Sequence, residues 1–343
     1  MKQSIAVLVP CRNEELYIAR CLDSILENDY PNELLEVIIV DGMSTDKTRE
    51  IIASYKNRFK SIKTIDNIKK TKPAGLNLGI KNSSPEVIAR IDAHAEYSPT
   101  YFSQLISTLE KTDADLVGAK RITSASSSLW GKVITASIDH RFAAGNAHYR
   151  TSSDTQPKEV SSVFCGCYRR RAFQRVGLFN EALIRTQDRD LNTRIKQSGG
   201  KIILDPQTSC TYFARTTLWA YTKWVFHGAF WLFYASRFSP TCMKSLRNYI
   251  PFLFLLYLII FLGLVINEVP NFLLLAAGVP LMLYCVMSFF SAWQVTKYMG
   301  NFCYTPMVML FFLWTHVIYA TGSLLGSISE KIMPKQQTKP PPL

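Results

Sequence analysis

Val87-Ile88-Ala89-Arg90-Ile91-Asp92-Ala93-His94-Ala95 is the stretch whose reading decides the fold. It is a short β-type run, mostly apolar, that stops at a carboxylate and is followed two residues later by an imidazole. A strand ending in Asp-x-His sets two potential metal ligands at the carboxyl edge of a sheet. That edge is where open α/β folds bind their ligands.

Toward the N-terminus the same grammar repeats. Ile5 to Val9 has a buried-strand pattern closed by Pro10, and Asn13-Glu14-Glu15 opens a helix, with Asn13 as its N-cap and the two Glu at the positive end of the dipole. Leu16, Ala19, Leu22, Ile25 and Leu26 follow at helical spacing. Val37-Ile38-Ile39-Val40 is a second strand, ending at Asp41-Gly42, and Ser44 or Thr45 caps the helix after it. A weaker strand at Ile62 to Ile65 and a helix at Ala74 to Ile80 lead back to the opening stretch. Strands that are apolar on both faces and alternate with helices predict a mostly parallel sheet with helices packed on it, a Rossmann-like α/β class.

Toward the C-terminus, Tyr101 to Leu109 reads as a helix, Asp115 to Ala119 as a strand, Gln187 to Gly199 as a helix and Lys201 to Leu204 as the last strand. The segment from Thr123 to Pro157 is rich in Ser, Ala, Gly and Thr and has no clear period; mobile loops are expected there. Leu218 to Phe238 is dense in aromatics, interrupted by Lys223, His227 and Arg237, the composition of an interfacial amphipathic helix. Three membrane spans are expected, at Tyr249 to Ile266, Phe272 to Phe290 and Phe302 to Leu325. Arg237, Lys244 and Arg247 precede the first of them and place the large domain in the cytoplasm, although three spans put Lys331, Lys335 and Lys339 on the other side. The expected organisation is a catalytic domain over 1–215, an interfacial segment over 216–245, a membrane domain over 246–326 and a disordered tail over 327–343.

Hydrophobic residues make up 48% of the 343 and charged residues 19%, but the charge is concentrated before about Ile203. The formal net charge of +13 comes with no helix-turn-helix, zinc-finger or RNP signature. Anionic lipid and a polyanionic substrate are therefore the expected partners, not nucleic acid. The eight cysteines have no zinc spacing and read as reduced structural residues. The run Ile5 to Val9 is too short for a signal peptide.

Each chemical motif is weak alone. Asp41 at a sheet edge can accept from a base N–H or a ribose hydroxyl, but Asp-Gly is also ordinary turn chemistry. Asp92 and His94 can share a divalent cation completed by diphosphate and water, a carboxylate–imidazole pair suiting Mn²⁺ somewhat better than an all-oxygen site would. Lys72, before Pro73 at a helix start, can meet phosphate. Gln187-Asp188-x-Asp190 opens a helix in which Asp188 is a candidate general base, while Asp190 and Arg194 have the spacing of a plain i,i+4 pair. Arg169-Arg170-Arg171 can face lipid phosphate or a lipid diphosphate.

As a set, Val7 to Glu15, Asp41-Gly42-Met43-Ser44-Thr45-Asp46, Asp92-Ala93-His94 and Gln187-Asp188-Arg189-Asp190-Leu191 occur in the order and spacing of the family 2 glycosyltransferases, which the chain resembles over roughly residues 3 to 235. The likeness is greatest to the bacterial succinoglycan-biosynthesis type, which shares the Asp-Ala-His form and a membrane-bound C-terminal part. The resemblance implies a GT-A fold and inverting transfer of a hexose from a nucleotide sugar, UDP-linked by expectation. The acceptor would be a membrane molecule such as a polyprenyl-diphosphate-linked saccharide, in exopolysaccharide or cell-surface glycan synthesis at the inner membrane. Carried over by motif, Pro10, Arg12, Glu14, Asp41, Lys72 and Asp92 line the nucleotide pocket. Asp92 and His94 hold Mn²⁺ or Mg²⁺, and Asp188 is the catalytic base. Gln187, Asp190, Arg194, Cys165 and Gly166 stand around the acceptor or support the residues that do. Two departures matter: His94 replaces the second Asp of the usual Asp-x-Asp, and Gln187 replaces the usual Glu before the base. Gln-x-x-Arg-Trp, the mark of processive synthases, is absent, so one sugar per encounter is expected. A processive synthase and an inactive scaffold retaining the fold are the alternatives.

Overall fold

The computed structural model describes residues 3–124, 126–144, 149, 154–235, 246–329 and 341–343. The chain forms two compact units: Met1–Ser124 with His148–Phe213 and Gln336–Leu343, and Ala125–Ala147 with Ala214–Lys335.

The first unit is built on a sheet of nine strands among the described residues: β1 (Ile5–Cys11), β2 (Leu35–Asp41), β3 (Ile62–Asp66), β4 (Val87–Arg90), β5 (Ala95–Tyr97), β6 (Leu116–Thr123), β7 (Lys158–Glu159), β8 (Phe164–Arg169) and β9 (Ile202–Tyr212), in the order 3-2-1-4-8-6-9-5 with β7 beside β9. The quartet β3-β2-β1-β4 is parallel, as the doubly apolar strands predict. β8 is inserted antiparallel between β4 and β6. Alternation along each strand sorts the core into two layers. Ile5, Val7, Val9, Val37, Ile39, Val87 and Ala89 face one side, with α1 (Ile18–Leu26) and α4 (Tyr101–Thr112). Ala6, Leu8, Ile38, Val40 and Ile88 face the other, with α3 (Lys72–Lys81). Gly79 lets α3 sit against β1, since a Cβ there would lie 3.1 Å from Leu8.

Several local expectations change. Helix α1 begins at Ile18, not at Asn13, and Leu16 is exposed. Asn13 is left-handed (φ 55°), and its side chain accepts from the Thr45 N–H at 2.9 Å. Helix α2 (Thr48–Ser54) begins after Ser44, whose hydroxyl serves Asp41 and the Asn13 N–H instead. The Arg169-Arg170-Arg171 run is not a lipid-facing patch. Arg169 bonds the carbonyls of Leu109 and Ala114, Arg170 those of Pro85 and Ser83, and Arg171 pairs with Asp113 and Asp115. These guanidiniums satisfy carbonyls left open at helix ends and turns.

The described residues 126–144, expected in the first domain, group with the C-terminal helices in the second unit. It contains α5 (Leu129–Ser137), α6 (Arg141–Ala144), α9 (Leu218–Ala235), α10 (Ile250–Ile266), α11 (Asn271–Tyr298) and α12 (Thr305–Ile328); α7 (Arg170–Val176) and α8 (Gln187–Gln197) belong to the first unit. Val133, Ile134 and Ile138 pack with Tyr221, Ala292, Val295, Val308 and Phe312. His316 bonds the Phe142 carbonyl at 2.9 Å and the Tyr284 hydroxyl at 3.0 Å. Helix α9, expected at an interface, lies lengthwise along α12. Tyr221 meets Thr315, and a Cβ at Gly322 or Gly326 would lie within 2.6 Å of the Phe226 or Phe230 carbonyl. Small residues four apart allow this backbone approach.

Two helices, Asn271–Tyr298 and Phe302–Ile328, are long and apolar enough to cross a membrane. The first expected span, Ile250–Ile266, has 17 residues, about 25 Å against a hydrocarbon core of about 30 Å. Arg237, Lys244, Lys331, Lys335 and Lys339, and most of the 327–343 tail, lie outside the described residues.

Candidate active site

The site lies at the carboxyl edge of the parallel quartet. The loops after β1 and β2 are laced together. The Asn13 N–H donates to Ser44 Oγ at 2.9 Å, Glu14 N–H to Thr48 Oγ1 at 2.7 Å, Glu15 N–H to Asp46 Oδ2 at 3.2 Å, and Lys47 N–H back to Glu15 Oε2 at 3.0 Å. Gly42 lets the exposed Arg12 lie over this turn, since a Cβ there would sit 3.1 Å from Arg12 Cβ. Pro10 is the partner of Val40 on the adjacent strand.

Asp41 ends β2 with no exposed surface. Its carboxylate accepts from the Ser44 N–H at 3.1 Å, from the Ser44 hydroxyl, and from Arg49 Nε at 2.6 Å. Burial pushes its pKa up, but these hydrogen bonds and the Arg49 charge outweigh burial and hold it below the usual value. Arg49 also pairs with Asp66 at the end of β3.

Asp92 lies two residues beyond β4 and is 4% exposed. Its backbone is clamped by one hydroxyl: Tyr97 accepts from the Asp92 N–H at 2.7 Å and donates to the Asp92 carbonyl at 3.2 Å. Its Oδ1 is in contact with Lys72 Nζ, from the first residue of α3, and lies 3.6 Å from Arg90. Burial raises its pKa, yet Lys72, Arg90 and His94 overcome that and hold the group ionised well below the usual carboxylate range.

Asp188 stands in the first turn of α8 with a third of its side chain exposed, 3.5 Å from Arg90. Thr186, just before, is left-handed (φ 69°). Gln187 is buried, and its Oε1 has no partner among the described residues. The loop leading to α8 is tied to α3 by Asn77, which donates to the Phe179 carbonyl and accepts from its N–H, both at 2.9 Å. Lys72, Asp92, Arg90 and Asp188 thus form one continuous line of alternating charge.

Among the described residues no three His, Cys, Asp or Glu side chains converge as a metal cluster. The pair Asp92 and His94 nonetheless fits a cation that substrate completes. The Glu14 carboxylate lies 3.0 Å from His94 Nδ1. A carboxylate only accepts, so Nδ1 is the donor to Glu14, and Nε2 is the ring nitrogen that would face a metal. Two protein donors with diphosphate oxygens and water suit Mn²⁺ or Mg²⁺. Glu14, expected in the nucleotide pocket, also contacts His94.

Four residues expected around the acceptor or in support of it are held within the framework as follows. Cys165 is fully buried behind Asp92, its Sγ 3.8 Å from the Tyr97 hydroxyl, and burial pushes its thiol up to about 12. Gly166 (φ 127°) forms the irregularity by which β8 fits beside β6; a Cβ there would lie 2.4 Å from the Val117 carbonyl. Asp190 pairs with Arg194 at 2.9 Å, and Arg194 holds the carbonyls of Val176, Gly177 and Leu178. Tyr97, Asn77 and Arg90 were not singled out by sequence. The available signal was Arg90 itself, a charge inside a buried strand and on the same face as Asp92.

Comparisons with known proteins bear on the family and the fold. A dolichyl N-acetyl-alpha-D-glucosaminyl phosphate 3-beta-D-2,3-diacetamido-2,3-dideoxy-beta-D-glucuronosyltransferase of Methanococcus voltae is 29% identical over 64% of this chain and 70% of its own. A succinoglycan biosynthesis protein of Rhizobium meliloti is 26% identical over 63% of this chain and 64% of its own. The solved mannosyltransferase of Pyrobaculum calidifontis, in complex with GDP-Man and Mn²⁺, superposes with a TM-score of 0.61 at 17% identity, covering 96% of this chain and 88% of its own. It shares the mixed α/β GT-A-like fold followed by C-terminal helices. Residues 6–177 match the family model for glycosyl transferase family 2, and the chain belongs to that family.

Proposed function

We propose that this protein is a membrane-associated inverting hexosyltransferase that moves a sugar from a nucleotide sugar, UDP-linked by preference, to a lipid-linked acceptor. The observation that carries the proposal is the line Lys72–Asp92–Arg90–Asp188 at the carboxyl edge of the parallel strands. Lys72 and the first turn of α3 meet the diphosphate. Pro10, Arg12, and Asp41 through its turn, shape the nucleotide pocket. Asp92 and His94 would hold a divalent cation, which would supply positive charge to the departing diphosphate. Asp188 takes the proton from the acceptor hydroxyl as its oxygen attacks the anomeric carbon. Attack opposite the leaving diphosphate inverts that centre.

The acceptor reading draws on two supports. One relative is named for a dolichyl-phosphate-linked substrate. The second unit also holds an apolar cavity of about 300 Å³ lined by Trp130, Leu218, Leu310, Phe311, Trp314 and Val317. The basic residues Arg237, Lys244 and Arg247 favour a cytoplasmic catalytic unit at the inner membrane. The test is a screen of nucleotide sugars against membrane lipid extracts, read by nucleoside diphosphate release. Transfer only to soluble acceptors would defeat the lipid assignment. A processive synthase is the second reading, because a poly-beta-1,6-N-acetyl-D-glucosamine synthase of Staphylococcus epidermidis is 28% identical over 63% of this chain and 51% of its own. Product length from labelled donor separates the two.

A further inference from the structure

Arg90 is the last residue of the buried strand β4 and is 3% exposed. Its Cα is in register with that of Gly166 on β8. A guanidinium there costs stability unless it is paired, and an apolar residue of similar volume would serve the sheet at least as well. Two half-buried arginines, Arg170 and Arg194, show what a carbonyl-capping guanidinium does in this protein, while buried Arg121 lies over the Tyr212 ring and donates to Thr123 Oγ1 at 3.3 Å. Arg170 and Arg194 each hold two or more backbone carbonyls, and Arg194 adds a 2.9 Å bond to Asp190. Arg90 differs from Arg170 and Arg194. It lies 3.6 Å from Asp92 and 3.5 Å from Asp188, both beyond ordinary hydrogen-bond length, and its Nε has no partner among the described residues.

The two carboxylates have different tasks in the proposed reaction. Asp92 is on the donor side, and Asp188 is the base. They lie on different elements, the end of a strand and the start of a helix. The guanidinium presents one terminal nitrogen to each, because its fork is planar and rigid. A lysine at the same position would carry a point charge on a flexible stem and could hold only one of them at a time.

We infer that Arg90 is a positioning residue, which fixes Asp188 relative to Asp92 so that base and leaving group keep one geometry. This rests on the reading of Asp188 as the base. The helix itself does not need Arg90. Leu191 and Ile195 hold α8 in the core, and the Asp190–Arg194 pair and Asn77 anchor its approach. Loss of Arg90 also leaves no isolated buried charge, since Asp92 keeps Lys72 and Asp188 is partly exposed.

The test compares Arg90→Met, Arg90→Lys and Asp188→Asn in the full chain, reconstituted in liposomes of polar lipid extract with polyprenyl phosphate. A panel of UDP-hexoses supplies the donor, UDP release gives turnover, and calorimetry with UDP gives nucleotide affinity. Arg90→Met is expected to melt at or above the wild-type temperature and to bind UDP within about threefold. Its kcat is expected to fall by about 10²-fold, the scale of a misplaced reacting group. Arg90→Lys recovers only part of that loss, and guanidinium ion added to Arg90→Ala raises kcat without changing UDP affinity. If Arg90→Met keeps wild-type kcat, or loses melting temperature and UDP affinity together with kcat, the inference is overturned. Active Asp188→Asn overturns the base assignment itself; inactive Asp188→Asn beside active Arg90→Met overturns the role of Arg90 alone.

Discussion

The loops after β1 and β2 hold each other through backbone-to-side-chain bonds between 2.7 and 3.2 Å, and Asp41 at their centre is satisfied by Ser44 and Arg49. The start of α8 is held differently. Asp188 meets Arg90 at 3.5 Å, and both Arg90 Nε and Gln187 Oε1 lack partners among the described residues. Unmade bonds of buried groups cost roughly 1–3 kcal/mol each, so the protein holds the α8 side under-bonded while its donor side is closed. The difference teaches which half the chain satisfies by itself; on the proposed function, the other half would gain its last contacts from a ligand.

The largest effect should come from the open half. Asp188→Asn keeps the shape and removes the proton acceptor, so transfer should fall by about 10³-fold, within the usual range for a positioned base. UDP affinity should stay within about threefold, because the laced loops are untouched. Transfer that survives would remove Asp188 from the chemistry.

Removing divalent cations with EDTA should come next. Turnover is expected to drop by about 10²-fold and to return with Mn²⁺ or Mg²⁺. With Glu14 fixing the imidazole, Glu14→Gln should raise the cation concentration needed by about tenfold. Full turnover without any divalent cation would leave Asp92 and His94 with no ligand role.

Gln187→Met sharpens the contrast more gently. It replaces an unpartnered amide by an apolar chain of similar length. The melting temperature should hold or rise, while transfer falls by about tenfold as a contact to acceptor is lost. A drop in melting temperature would mean that Gln187 is already satisfied in the free protein.

How much of this was legible in sequence follows from where each signal lies along the chain. Asp41, Asp92 and Asp188 each end or begin a regular element, so local patterning finds them. Arg90 looked like an interruption of a strand, because its partners are set by β4 meeting α8 across 98 residues. The Glu14–His94 pair spans 80 residues and the Asn77–Phe179 clamp 102, distances at which no periodicity speaks. The Arg169-Arg170-Arg171 run read as a charged surface because composition cannot tell a solvated charge from one that caps carbonyls. The Ala125–Ala147 segment hid its allegiance for another reason. Trp130, Val133, Ile134 and Ile138 have helical spacing, but their surroundings are small and polar, and their partners lie more than 80 residues further on, in α9, α11 and α12.

The smallest effect belongs to the closed half and is read in stability, not in rate. Asp41 has its folded pKa lowered from the model-compound value of 3.8, with burial opposing and Ser44 and Arg49 prevailing. A carboxylate of this kind contributes stability that is fully present above its unfolded pKa and is lost as pH falls toward its folded pKa. Asp41→Asn keeps the turn but loses the charge, and should cost about 1.5–3 kcal/mol near neutral pH, the range for hydrogen bonds to a charged group. The gap between wild type and Asp41→Asn, followed by melting temperature from pH 6 downward, should stay constant to about pH 4 and narrow below it. Asp92 has the same sign, but it is present in both proteins and cancels in the difference. A gap that widened in acid would mean that Asp41 is protonated in the folded state, and the laced loops would then owe their closure to neutral hydrogen bonds.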